Sequence, residues 1–398
     1  MNESKSVDRA KDSASLVTRP FVLLCAAMFL GYANQWVLTP TIPLYVDAMG
    51  GSAFLAGLAL LAFSVPSFGA RPFVGRLADQ WSAAGVLATG LVLLAIGSLL
   101  FLIPFLAMLF IAGIVRGLGW AGINTGGYTS LAMTAPAERR GEAAGFYTSV
   151  TASANIFFPA LGLWIVAGHG GFELVFWLSA VLAALGLPVA LKLNSQRVPT
   201  SVSRRAEEEP SVGLIDRSVL LATGLNLCST LANPAVMAFL PLYARSLGIE
   251  NIGLFYVLAG ATNIVIRPML GKSSDSIGRG PSIAVGLGAQ LVGLVFILVA
   301  DALPLILLGG VFFALSSALI GSSTTALAMD LANPHRRGQA MATYSISYQM
   351  GVGLGSILSG AIADVVSLSG MYVGSIVITI VGMCMLALAW KSIPRPVR

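Results

Sequence analysis

Arg71-Pro72-Phe73-Val74-Gly75-Arg76-Leu77-Ala78-Asp79 returns later in the chain as Arg267-Pro268-Met269-Leu270-Gly271-Lys272-Ser273-Ser274-Asp275. The offset is 271 − 75 = 196 positions, close to half of the 398 residues. Ile42-Pro43-Leu44-Tyr45 matches Leu240-Pro241-Leu242-Tyr243 at an offset of 198. Arg139-Arg140-Gly141 matches Arg336-Arg337-Gly338 at 197, and Tyr147 matches Tyr344 at 197. Self-similarity at one fixed period reads as duplication. The chain has two equivalent halves, each carrying a charged, Gly-containing turn between apolar runs.

Composition sets the solvent. The chain is 56% hydrophobic and 10% charged, against roughly 25% charged in a typical soluble domain. Its apolar residues come in runs of about twenty, the length that crosses roughly 30 Å of hydrocarbon. Within lipid each backbone group must be satisfied inside its own segment, which leaves helices or a closed barrel. The runs are too long and continuous for barrel strands. Gly, at 44 residues, suits closely packed membrane helices. Cys25, Cys228 and Cys384 all fall inside apolar runs and suggest packing thiols, not a disulfide framework.

The pattern predicts a cytoplasmic tail over 1–19, disordered by composition, and a first six-helix bundle over 20–193. Its spans lie near 21–45, 53–73, 83–103, 105–130, 141–167 and 172–191. A polar linker covers 194–216, a second six-helix bundle 217–391, and a short tail 392–398. The second set of spans lies near 217–244, 250–270, 281–300, 303–330, 338–363 and 368–390. All of the 23 Lys and Arg residues except Arg116 and Arg245 fall on one side of this arrangement. Positive loops face the cytoplasm, so both termini and the linker are expected there, and the low charge and many glycines fit a bacterial inner membrane. The net charge of +6 thus reflects topology and not a nucleic-acid surface.

With these residues in view, the chain resembles the major facilitator superfamily. Gly271, Lys272, Asp275, Gly278 and Arg279 match the family's G-x-x-x-D turn followed by G-[RK]. The first half keeps Gly75, Arg76 and Asp79, but Gln80 and Ser82-Ala83-Ala84 replace the remaining positions. The resemblance implies an all-α integral membrane fold of twelve transmembrane helices in two pseudo-symmetric bundles, working by alternating access. Gly75 would let a neighbouring helix approach the bend, and Asp79 or Asp275 would accept hydrogen bonds from a facing helix end. With Arg76, Arg139, Arg140, Gly271, Lys272, Arg279, Arg336 and Arg337, these residues form a candidate cytoplasmic gate.

Arg116 is the sharpest single residue. A charge near the middle of a span is costly and usually faces a wet cavity, although it can instead cap carbonyls of neighbouring helices. Trp120 and Asn124 follow it on the same helical face, and Asn34, Gln35 and Trp36 sit in the first span. Gln35 matches Asn233 at 198, and Tyr147-Thr151 echoes Tyr344-Tyr348 at i and i+4. Asn155 and Asn263 add amides. Together these residues are candidates for a cavity that takes an amphiphilic molecule, with Arg116 pairing an anionic group. The fifth-span pattern of similar antiporters is matched at Gly145, Pro159 and Gly162, while Ala154 and Phe158 replace two glycines.

No carboxylate accompanies Arg116 in mid-span, so proton coupling is expected at acids near span ends: Asp79, Glu142 or Asp330. Gly117-Leu118-Gly119-Trp120-Ala121-Gly122 is a literal G-x-G-x-x-G inside a span, without the preceding strand a dinucleotide site needs. Gly271-Lys272-Ser273 lacks the first Gly of a P-loop. His169 and His335 fall in opposite loops and form no metal site. The expectation is therefore a monomeric, cofactor-free transporter and not an enzyme. It would export an amphiphilic, anionic or zwitterionic small molecule, with proton entry as the driving ion flow. Uptake of an organic anion or sugar-like solute is the alternative within transport; a lipid scramblase or membrane sensor is the alternative outside it.

Overall fold

The computed structural model describes residues 18–135, 139–168, 170–194, 216–333 and 337–393. Arg336, His169, His335 and most of the 194–216 linker lie outside these, as do the side chains of Arg140, Lys272, Asp275 and Arg337 and the surroundings of Gly271. Among the described residues there is no strand. The helices are α1 (Arg19–Leu38), α2 (Thr41–Ala48), α3 (Ala53–Gly69), α4 (Arg71–Gln80), α5 (Ala83–Leu100), α6 (Leu106–Thr134), α7 (Arg140–Gly168) and α8 (Gly171–Asn194). They continue as α9 (Leu220–Leu231), α10 (Asn233–Met237), α11 (Leu240–Ser246), α12 (Gly253–Ile277), α13 (Arg279–Leu298), α14 (Leu303–Leu331), α15 (Arg337–Val365) and α16 (Leu368–Leu388).

Ten of the described helical segments are long and apolar enough to span a membrane, or eleven if α3 and α4 form one bent span. In α12 the apolar part is Gly253–Ile266. Large apolar side chains such as Trp164, Leu185, Val285 and Val377 face outward and exposed. Hydrocarbon requires that of an outer surface, and water would penalise it.

The repeated charged stretch is helical where a turn was expected. Arg71–Gln80 is α4, set at 44° to α3, and its second copy continues α12 without a break. Pro72 has no N–H for the carbonyl of Phe68, and that missing bond lets the helix axis bend at Ala70. The chain reverses later, at Trp81–Ser82 in the first half and at Gly278 in the second. Gly278 has φ 100°, a conformation that favours glycine.

The other repeat, Ile42-Pro43-Leu44-Tyr45, explains itself in packing. Tyr45 donates its hydroxyl to the carbonyl of Phe101 at 2.9 Å, and its ring lies 4.8 Å from that of Phe176. Tyr243 donates to the carbonyl of Leu298 at 3.1 Å, with its ring 4.8 Å from Tyr372. Equivalent tyrosines thus tie equivalent helices in both halves.

The apolar core is divided in an informative way. One buried cluster, from Phe21 to Leu193, draws only on the first half, and another, from Val219 to Ile393, only on the second. A third joins both, running from Val37 to Tyr372. The shared cluster includes Val46, Phe101, Leu240 and Ile306, at the end of the molecule opposite Arg19. The halves are packed together at that end and have separate interiors at the other.

The seam between halves runs along α3 against α15 and α7 against α12. Glycines make it possible. A Cβ on Gly57 would collide with the carbonyl oxygen of Ser356, and one on Gly360 with that of Ala53. By contrast, a Cβ on Gly75 would meet nothing within 4 Å. The close helix approach expected at Gly75 is not made in this state, because the halves are apart at that end.

Candidate functional site

Arg116 is enclosed, not facing open space: it is 1% exposed. Its Nη2 donates to Gln35 Oε1 at 2.8 Å and to Asn34 Oδ1 at 3.3 Å. The guanidinium carbon stands 5.6 Å from the Phe63 ring centre and 5.8 Å from that of Phe101. Charge is therefore compensated by amide oxygens and aromatic faces, and among the described residues Arg116 makes no ion pair. Close packing of α5 on α6 at Gly97, where a Cβ would strike the Arg116 side chain, aims it toward α1. Asn34 passes the network on: its Nδ2 donates to Ser98 Oγ at 2.9 Å and to the Ser179 carbonyl at 2.7 Å. Four helices, α1, α5, α6 and α8, are pinned through this one amide.

The rest of the predicted set divides by half. Trp120 packs against Tyr32 at 4.8 Å and Phe63 at 6.1 Å. Asn124 accepts from the Tyr32 hydroxyl at 2.9 Å and donates to the Trp120 carbonyl at 3.0 Å. The structure thus brings Asn34, Gln35, Arg116, Trp120 and Asn124 into one connected patch of the first half. Trp36, Asn155, Asn233 and Asn263 are half-buried, on α1, α7, α10 and α12.

Tyr147 and Tyr344 are both buried, but they differ in partners. Tyr344 meets Thr324 Oγ1 at 2.8 Å and Thr325 Oγ1 at 3.1 Å. The position equivalent to Thr324 is Gly127 (324 − 197), and the Tyr147 hydroxyl beside it has no hydrogen-bond partner. Tyr348 does not share the environment of Tyr344 one turn earlier; it is 47% exposed.

The predicted gate and coupling residues sit at the parted end. Arg76, Asp79 and Glu142 are exposed. Arg139 pairs with Glu142 through two contacts of 2.8 and 2.9 Å, three residues apart at the start of α7. That carboxylate raises the Arg139 pKa, chiefly through the hydrogen bond. Arg279 pairs with Asp330 at 3.1 Å, within the second half.

Bonds between halves occur elsewhere, outside the predicted gate and binding residues. Asp364 accepts the backbone N–H groups of Ala53 and Phe54, both at 2.9 Å. Arg245 reaches Asp47 at 3.3 Å. Deeper in the seam, Gln349 Nε2 donates to Ser67 Oγ at 3.1 Å, and both side chains are buried. A faint signal existed for one of these: Asp47 and Arg245 carry opposite charges two residues after the repeated tyrosine. The arrangement as a whole is two packed helix sets sealed at one face and separated at the other, with a polar and aromatic patch near the parting.

A family model described as Major Facilitator Superfamily matches residues 24–305 and 226–398. The chain belongs to the major facilitator superfamily. This facilitator is 23% identical over 393 residues to the staphylopine export protein of Staphylococcus aureus, covering 95% of its own length and 97% of that protein. It is 22% identical over 187 residues to the quinolone resistance protein NorA of Staphylococcus aureus, covering 46% of itself and 47% of that relative. Its fold matches a bacterial homologue of the human lysosomal transporter Spinster, solved inward-facing and unoccupied. The TM-score is 0.75 at 14% identity, over 96% of this chain and 100% of the other. It is a membrane transporter that resembles the drug and metabolite efflux branch, and not an enzyme.

Proposed function

We propose that this facilitator exports an amphiphilic small molecule by alternating access, in exchange for protons. In this reading residues 20–193 and 217–391 are two six-helix bundles that rock about the seam, with both termini in the cytoplasm of a bacterial cell and one chain forming the working unit. The observation that carries it is the divided core: one shared cluster at the face opposite Arg19, and two separate clusters at the face bearing the termini. A molecule sealed on one face and open on the other is one of the two states that alternating access requires. The relatives named for staphylopine export and quinolone resistance favour the outward direction.

The roles then follow. Gln35, Trp120 and Asn124 present amides and an indole to the substrate, while Arg116 fixes Gln35 from behind and the buried Asn34 holds the helices around it. On the inner face, Arg76, Asp79 and the second copy of the turn come together in the opposite state. On the outer face Asp364 and Asp47 hold the halves shut. The Asp364 carboxylate accepts two helix N–H groups across the seam, so losing that contact weakens the seal and favours opening outward. Asp79, Glu142 and Asp330 are placed to release protons inward. Purified protein in liposomes, given an imposed pH gradient and a quinolone such as norfloxacin as probe, tests this. Accumulation on the side from which protons leave supports export by exchange, while transport indifferent to collapse of the gradient would sink the coupling.

A further inference from the structure

The two seams between the halves are copies of one another in backbone but not in polar residues. A shift of 196 positions carries α3 onto α12, and one of 197 carries α7 onto α15, the offsets of the charged repeat and of Tyr147 with Tyr344. The packing keeps both offsets. A Cβ on Gly57 would stand 3.2 Å from Ile357 Cα, and one on Gly253 (57 + 196) would stand 3.3 Å from Ala160 Cα (357 − 197). A Cβ on Gly353 would stand 3.0 Å from Ser64 Cβ, and one on Gly260 (64 + 196) would stand 3.0 Å from Ile156 Cα (353 − 197). Equivalent turns of the two helix pairs are therefore equally close.

The α3–α15 seam is bonded near both ends. Gln349 Nε2 donates to Ser67 Oγ at 3.1 Å, while the Ser67 hydroxyl gives its own proton to the Ser64 carbonyl at 2.8 Å and keeps its lone pairs for the amide. At the other end Asp364 takes the N–H groups of Ala53 and Phe54. In the α7–α12 seam the positions equivalent to Gln349 and Asp364 are Ala152 (349 − 197) and Ala167 (364 − 197). A methyl group thus stands at both places where the first seam is bonded. Asn263 (67 + 196) takes the place of Ser67 and makes no hydrogen bond among the described residues. Gln349 and Ser67 are buried, whereas Ala152 and Asn263 are half-buried. Drawing α3 from α15 breaks a buried amide bond and two bonds to a carboxylate; drawing α7 from α12 costs packing alone.

We infer that the halves part first between α7 and α12, and that Gln349 is a positioning residue that keeps α3 on α15 while they do so. This rests on the alternating-access reading and gives it a side: the rocking axis lies nearer α3 and α15, and a ligand reaches the interior along α7 and α12. The asymmetry belongs to side chains and not to the fold, since the backbones approach alike at both seams.

Two buried positions at equivalent depth test this, Ser64 on the bonded seam and Ile156 on the other, 2% and 8% exposed. Each is changed to cysteine in full-length protein carrying Cys25→Ser, Cys228→Ser and Cys384→Ser, and its labelling by a water-soluble maleimide is timed in nanodiscs. Ile156→Cys is expected to label about tenfold faster than Ser64→Cys, the scale of one buried hydrogen bond in an opening equilibrium. Gln349→Ala should raise Ser64→Cys labelling by a similar factor. Ala152→Gln combined with Asn263→Ser moves the bonded pair to the second seam and should slow Ile156→Cys about tenfold, which a merely structural role for Gln349 would not bring about. An unchanged thermal midpoint reports that each variant is folded. Equal labelling of Ser64→Cys and Ile156→Cys, or a transplanted pair that leaves Ile156→Cys unaltered, would overturn the inference. No substrate or gradient enters the measurement, so symmetrical opening leaves export standing, and a failure of export leaves the asymmetry standing.

Discussion

Asp364 caps the helix that begins at Ala53, 311 residues earlier in the chain. The first four N–H groups of that helix are all accounted for. Ala53 and Phe54 donate to the two Asp364 oxygens, Leu55 to Ser52 Oγ at 3.3 Å, and Ala56 to the Ser52 carbonyl at 3.1 Å. One half of the molecule thus finishes the hydrogen bonding of the other. Asp364→Ala leaves two donors to water and should shift the population toward the outward-open state. With an exposed cap worth about 1 kcal/mol, up to 2, the shift is roughly five- to thirtyfold, readable as labelling of a cysteine placed at Ser356. Asp364→Asn, with one accepting oxygen, should fall between; unchanged labelling in the alanine variant would refute the latch.

The Asp47–Arg245 pair is different in kind. Both side chains are largely solvent-exposed, and exposed pairs contribute about 0–1 kcal/mol. Arg245→Ala should therefore change the same labelling by no more than about fivefold, and the effect should fade as salt rises. The exchanged variant Asp47→Arg with Arg245→Asp should recover the wild-type value.

Gly57 and Gly360 allow backbones to touch across the seam. Gly57→Ala forces α3 away from Ser356, and overpacking of this sort costs about 1–3 kcal/mol. We expect the variant to fold and still bind ligand while avoiding the sealed state, so that transport falls at least tenfold in a counterflow assay. Wild-type turnover in Gly57→Ala would mean the seam opens no further than a methyl group requires.

Replacing Arg116 tests a structural role. Arg116→Met keeps much of the volume but leaves Gln35 Oε1 and part of Asn34 Oδ1 without a donor. Each buried acceptor left unsatisfied costs about 1–3 kcal/mol, so the thermal midpoint in detergent should drop by several degrees. If Arg116 instead contacted ligand directly, binding would fall with stability unchanged.

Much of the fold was readable because apolar length and a fixed repeat are properties of the chain alone. The bend at Ala70 was less so. Arg71–Gln80 looks like a loop by charge, yet nothing after Pro72 interrupts a helix, and water at the membrane edge tolerates its charged residues. Arg116, Trp120 and Asn124 were recognisable from depth and spacing, as was the first-span Asn34–Gln35 pair. Whether Arg116 faced substrate or structure depended on rotation about α6, which spacing does not fix. Asp364 and Gln349 escaped notice because acids and amides near helix ends are common, and only the facing helix gives them meaning. The contrast between Tyr147 and Tyr344 lay in the chain all along, as Gly127 against Thr324, but it acquires significance once α6 and α14 are seen beside those rings.

The ion pair at the sealed face also bears on ancestry. Asp47 and Arg245 occupy the same register in the two copies, 198 residues apart. Two identical copies meeting there would have set carboxylate against carboxylate, or guanidinium against guanidinium. The attraction was therefore out of reach of any homodimer built from either copy, and it requires two copies that differ at this register.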